Sequence, residues 1–244
     1  MKKLWKFLPF VLIGVIYFTL TNPEFAHAMH IMEGFLPVKW AVFWFIVFIP
    51  FLVLGLIRIR KLIALDKNNK LLLALCAAFI FVLSALKIPS VTGSCSHPTG
   101  VGLATVMFGP LVVSVLGVIV LLFQALLLAH GGITTLGANA MSMAVIGPMV
   151  GFVVYKLARK LNCNKSVSIF LCAMTADLAT YLTTSVQLGV VFPDPASGMM
   201  ASILKFMAIF CVTQVPIAIA EGLLTVVMYN LISKNLPEKV AQLR

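Results

Sequence analysis

The chain has 244 residues, 61% of them apolar and 10% charged, and its 18 basic and 7 acidic side chains give a formal net charge of +11. Ordinary soluble domains carry about 45–50% apolar and about 25% charged residues, so a soluble globular protein is excluded; the apolar residues recur in blocks of about 20, the length that crosses ~30 Å of hydrocarbon. The basic residues sit in the short gaps between those blocks, which makes them topology signals and excludes nucleic acid as their partner.

In chain order, Lys2, Lys3 and Lys6 precede an apolar run over 7–20, and a polar stretch then leads to Ala26-His27-Ala28. Basic, apolar and small-residue parts in that order read as a secretory signal peptide. Cleavage after Ala28 predicts removal of 1–28 and a single mature domain, 29–244, whose new amino terminus, Met29-His30, lies outside the cytoplasm.

The next apolar block, 40–57, ends in Arg58, Arg60, Lys61, Lys67 and Lys70, marking a cytoplasmic loop. A block over 71–88 returns outward, so the uncharged loop 89–98, with His97, shares the face of His30. Lys156, Arg159, Lys160 and Lys165 mark the next cytoplasmic loop, so an odd number of crossings separates it from Pro98. Three fit: a short helix over 99–108 broken at Gly109-Pro110, a second over 111–129 and a third over 140–155. Blocks over 167–191 and 202–232 complete the chain, with Pro216 expected to kink the last and Gln214 and Glu221 to face the bundle. The expectation is an all-α polytopic membrane protein of about seven transmembrane helices, amino terminus outside and carboxyl terminus cytoplasmic. The short helix cannot cross alone and is expected to be shielded by protein.

At the mature end, the Met29 α-amine, the deprotonated His30 amide nitrogen and His30 Nδ1 fall in one plane and close a five- and a six-membered chelate ring. His97 on the same face supplies a fourth nitrogen. Tetragonal nitrogen coordination suits copper(II), nickel(II) or cobalt(II) and fits zinc poorly. An α-amine titrating near ~8 and imidazoles near ~6.5 must lose their protons to bind, so affinity should weaken as pH falls. His130 is a candidate ligand or supporting residue, with Asn139, Glu33 and Ser96 as further supports. Cys95 is a weaker candidate, since an extracytoplasmic thiol oxidises readily. The five cysteines lack metal-site spacing, and most of the twelve methionines read as packing. Asp177 and Glu221 lie inside apolar blocks and read either as functional carboxylates or as acceptors for a hydroxyl of a neighbouring helix. The former would make the chain an intramembrane metalloenzyme. No nucleotide-binding loop and no H-E-x-x-H is present, so catalysis is not expected and energy for transport must come from partners.

The runs Met29-His30-Ile31-Met32-Glu33-Gly34-Phe35-Leu36-Pro37, Gly93-Ser94-Cys95-Ser96-His97-Pro98-Thr99-Gly100 and 130–139 (HGGITTLGAN) resemble the CbiM/NikM family, the cobalt and nickel substrate-binding components of energy-coupling-factor transporters. The resemblance implies a metal held by the Met29 amine, the backbone nitrogen and imidazole of His30, and the imidazole of His97. It implies partners as well: a small accessory membrane subunit (CbiN-like), a transmembrane coupling subunit (CbiQ-like) and cytoplasmic ATPases (CbiO-like), in the cell membrane, delivering cobalt(II) for cobalamin synthesis. Nickel(II) is the alternative cargo, and no cofactor is expected. Some nickel-branch relatives carry the accessory subunit fused at the carboxyl end, whereas this chain stops at Arg244, which favours cobalt. Many relatives begin directly at the Met-His end. Here that end requires the leader to be cut.

Overall fold

The computed structural model describes residues 30–89 and 95–238. It is almost entirely helical: α1 (Val38–Leu65), α2 (Asn69–Ser84), α3 (Val101–Phe108), α4 (Pro110–Leu128), α5 (Leu136–Lys160), α6 (Lys165–Val191) and α7 (Gly198–Asn235). Of these, α1 and α4 to α7 are long and apolar enough to cross a membrane, and α2 is a shorter apolar helix. A two-residue antiparallel ladder joins β1 (Ile88–Pro89) to β2 (Cys95–Ser96), with Ile88 opposite Ser96. The expected polytopic helical architecture stands. The expected leader, 1–28, lies outside the described residues.

Three helices differ from their expected outlines, for identifiable reasons. α1 runs eight residues past Ile57 because Arg and Lys are good helix formers; a cluster of charge ends the apolar block without ending the helix, which stops at Asp66 in extended conformation (φ −152°, ψ 118°). α5 contains a π segment, Met141–Ile146, just before Pro148, whose missing N–H breaks the regular ladder. α7 keeps Pro216 inside one helix and runs past the expected block 202–232 at both ends, to Gly198 and Asn235.

The break between α3 and α4 is the expected one. Gly109 has φ 86°, a conformation costly for other residues, and Pro110 occupies the first turn of α4. Seven of the eight residues of α3 are buried, so this short helix is enclosed by protein as its length requires. Small residues bring its neighbours close. A Cβ on Gly147 or Gly151 of α5 would meet the Ala176 or Cys172 carbonyl oxygen of α6 at 2.7 and 2.6 Å, the close approach that a small-xxx-small pair permits. Outward, Ile46 and Val53 of α1, Leu127 of α4 and Val227 of α7 are exposed, as surfaces facing acyl chains must be.

The main core draws on α1 to α7 around Phe48, Ile80, Leu103, Val113 and Met143, with Ile169 of α6 and Tyr229 of α7. A second cluster, Ile31, Leu36, Ala138, Tyr181, Leu188 and Phe210, buries the segment that leads into α1. That segment carries His30.

Candidate metal centre

Three histidines from three different connections meet in the interior. His30 precedes α1, His97 lies between β2 and α3, and His130 lies between α4 and α5; each is at most 3% exposed. The His30 and His97 rings stack at 4.3 Å and 17°, and His130 stands edge-on to both, at 4.6 and 5.1 Å. One donor atom from each lies within 4.8 Å of the other two. Among the described residues, His30 Nδ1, His97 Nε2 and His130 Nε2 are buried without a hydrogen-bond partner, which is costly for ring nitrogens unless something else engages them.

The other ring nitrogens fix the tautomers. His97 Nδ1 lies 3.1 Å from the Pro98 carbonyl oxygen; a carbonyl only accepts, so Nδ1 carries the proton and Nε2 presents a lone pair. His30 Nε2 lies 3.3 Å from Met143 Sδ, an acceptor, so its proton sits on Nε2 and the lone pair on Nδ1. That is the nitrogen the chelate at the chain end requires. Burial, reinforced by the neighbouring imidazoles, holds the His30 pKa well below the ordinary 6.5. Burial lowers His97 to about 4, against the bond to Pro98. It lowers His130 to about 3, with His97 and Lys87 adding to it. All three rings are neutral donors near pH 7.

The backbone after His30 is bound by side chains of the connection between α4 and α5 and of the first turn of α5. The Ile31 N–H donates to Asn139 Oδ1 (2.8 Å), and the Ile31 carbonyl accepts from Asn139 Nδ2 (3.0 Å) and Thr135 Oγ1 (2.6 Å). The Gly34 N–H donates to Thr134 Oγ1 (3.1 Å) and the Thr134 N–H donates to Glu33 (3.2 Å); the Thr134 side chain first, and its N–H as well, lower that exposed carboxyl's pKa. The approach depends on glycine: a Cβ on Gly132 would lie 2.5 Å from Glu33 Cα.

The His97 loop is held from the opposite side by transmembrane helices. Gln214 Nε2 of α7 donates to the His97 carbonyl (3.1 Å) and to both Asp177 oxygens of α6 (2.7 and 2.8 Å). The Glu221 carboxylate accepts the N–H groups of Thr99 (2.5 Å) and Gly100 (2.9 Å) and the Thr99 hydroxyl (3.0 Å). Ser96 Oγ and Thr213 Oγ1 are 2.7 Å apart.

Of the residues singled out in the sequence, His30, His97 and His130 therefore converge, and Asn139 orders the chain end. Glu33 is taken up by Thr134, and Ser96 by Thr213. Met29 and the Cys95 side chain lie outside the described residues. His97 is fully buried, so it is no solvated loop histidine. Glu221 accepts the Thr99 hydroxyl, though from a loop and together with two backbone amides, whereas Asp177 accepts from the Gln214 amide and not from the hydroxyl expected of it. Met143 was hidden among the packing methionines, and its contact with His30 has no signal in sequence.

The family model described as the cobalt uptake substrate-specific transmembrane region matches residues 30–239. A cobalt transport protein CbiM of Listeria seeligeri is 98% identical over 244 residues, covering 100% of each chain. One of Salmonella typhimurium is 66% identical over 213 residues, 87% of each chain. A crystal structure described as a transition metal transporter shares the fold with a TM-score of 0.73 and 27% identity, over 84% of this chain and 92% of that one. With the family model spanning the three-histidine site and relatives aligned over most of their length, the chain belongs to the CbiM family of cobalt-uptake membrane proteins.

Proposed function

We propose that this chain is the substrate-capture subunit of an ATP-driven energy-coupling-factor importer, which takes cobalt(II) from the extracytoplasmic face to supply cobalamin biosynthesis. It is a transport subunit and not an enzyme. The observation that carries the reading is the meeting of His30 Nδ1 and His97 Nε2, lone pairs outward, in one buried pocket. With leader 1–28 removed, the Met29 amine and the His30 amide nitrogen complete a four-nitrogen set for a divalent transition ion. His130 stands beside it, and Asn139, Glu33 and Ser96 hold the surrounding backbone.

The orientation, amino terminus outside and carboxyl terminus cytoplasmic, rests on charge. Arg58, Lys156, Arg159 and Lys165 line one cavity with Gly109 and Pro110, at the end of α3 away from His97. Such a basic rim belongs on the cytoplasmic side, where ATPases and a coupling subunit would bind, with a small accessory membrane subunit beside them. Nickel(II) remains the second reading, because the same nitrogens accept it and bind it more tightly by the Irving–Williams order. An intramembrane metalloenzyme has no such support, since Asp177 and Glu221 are engaged with Gln214, Thr99 and Gly100.

The test is His97→Ala in the full chain, purified in detergent and titrated with cobalt(II) and nickel(II) in competition. High-affinity binding should be lost while the protein stays folded in the membrane. Unchanged affinity would overturn the reading.

A further inference from the structure

Two side chains of α7 reach the same loop. Gln214 and Glu221 are seven residues apart, two helical turns, so they project from one face about 10 Å apart along the axis. The loop from His97 to Gly100 covers three residue steps, which extended chain spans in about the same distance. One end of the loop meets Gln214 through the His97 carbonyl, and the other meets Glu221 through the Thr99 and Gly100 amides. All of these side chains are fully buried.

The Glu221 contact replaces a local helix cap. α3 begins after Gly100, at φ 71°, and no side chain nearby caps it; the carboxylate arrives instead from 121 residues away. The Gln214 contact is itself braced, because Asp177 of α6 accepts from the same amide nitrogen that binds His97. Between the two anchors, Pro98 restricts the backbone, and its carbonyl orients the His97 ring. The His30 segment is hydrogen-bonded to residues 134–139, whereas the His97 loop is hydrogen-bonded to α7, with Asp177 of α6 bracing Gln214. The hydrogen bonds that hold the two halves of the site therefore come from different elements.

We propose that Gln214 and Glu221 are positioning residues for the metal centre: from one face of α7 they hold His97 where its Nε2 supplies the fourth nitrogen. This rests on the reading of His97 as a ligand. Neither residue touches the ion. Loosening either anchor leaves the three nitrogens of the chain end intact and lets only the fourth drift, so binding weakens and the ligand field changes together. A purely architectural role would lower stability and leave the ligand set as it was.

The experiment uses the full chain with its Met29 terminus, in detergent, as Glu221→Gln, Gln214→Met and His97→Ala. Cobalt(II) affinity comes from competition titration, and the ligand field from the d–d absorption of bound copper(II), whose energy falls as an equatorial nitrogen is replaced by water. Glu221→Gln and Gln214→Met should each weaken cobalt(II) binding about 10–100-fold, the usual effect of removing a group that orients a ligand. Both should move the copper(II) band to longer wavelength, toward that of His97→Ala, while metal-free unfolding stays cooperative. If Glu221→Gln is not recovered folded, Gln214→Met carries the test, since it leaves the α3 cap in place. Affinity within twofold of the parent and an unmoved band overturn the proposal when His97→Ala moves both. If His97→Ala moves neither, the metal-site reading falls, and this proposal with it.

Discussion

His97 shows how a single side chain can be committed before any ion arrives. Its Nδ1 proton is given to Pro98, its carbonyl is held by Gln214, and its remaining nitrogen is left with no partner. Burial favours the neutral ring, so protonation favours the unfolded chain: the folded-state pKa of about 4 lies below the ordinary 6.5. The stability tied to this residue is therefore fully present above about pH 6.5 and is lost as pH falls toward 4. Scanning calorimetry of the metal-free protein should show Tm falling across that window, with the fall reduced in His97→Asn. The same depression changes the proton balance of binding. At pH 7 the imidazoles have no proton to give up, so the proposed ligand set predicts that the protons released with cobalt(II) come from the Met29 amine and the His30 amide. Calorimetric titration in two buffers of different ionisation enthalpy should count roughly two protons per ion, none of them from imidazole. A count that rises with His130 or His97 intact and falls when either is replaced would contradict this assignment.

At the scale of elements, the connection between α4 and α5 acts as the receptor for the chain end. Asn139 makes a two-way bond with the Ile31 backbone, so Asn139→Ala should cost about 1–3 kcal/mol of stability and weaken cobalt(II) binding, both measurable on one purified sample by thermal unfolding and titration. Gly132→Ala should act through shape alone, pushing residue 33 outward by collision with its Cα. Much of this layer was legible. Gly109-Pro110 announced the break after a short helix, and charge parity expected His97 on the face of His30, beside which the structure brings it. What stayed hidden has physical causes. Charge marks where a membrane ends and not where a helix ends, so the extension of α1 through Arg58, Arg60 and Lys61 was missed. The π segment before Pro148 depends on which carbonyls find donors, and the bond between Glu221 and Thr99 joins residues 122 apart, for which no local pattern exists.

For the whole molecule, the proposed four-nitrogen site depends on a cut after Ala28. Kept as an amide, the Met29 nitrogen is no longer a basic donor. A full-length variant with Ala26 and Ala28 both replaced by Phe, blocking the small-residue cleavage site, should retain residues 1–28 by intact mass and lose high-affinity cobalt(II) binding. A chain started directly at Met29 should bind as the processed protein does. Tight binding by the uncut form would reassign the donors to His130 and its neighbours.

The spacing of the bonds around the two histidines also sets a timetable for synthesis. The His30 segment is completed by residues 100 to 108 positions downstream, and the His97 loop by residues 117 to 122 positions downstream. At about 5–20 residues per second, the last of these emerges many seconds after the first histidine. A ribosome stalled anywhere before α7 therefore leaves a fragment whose His97 loop lacks both anchors.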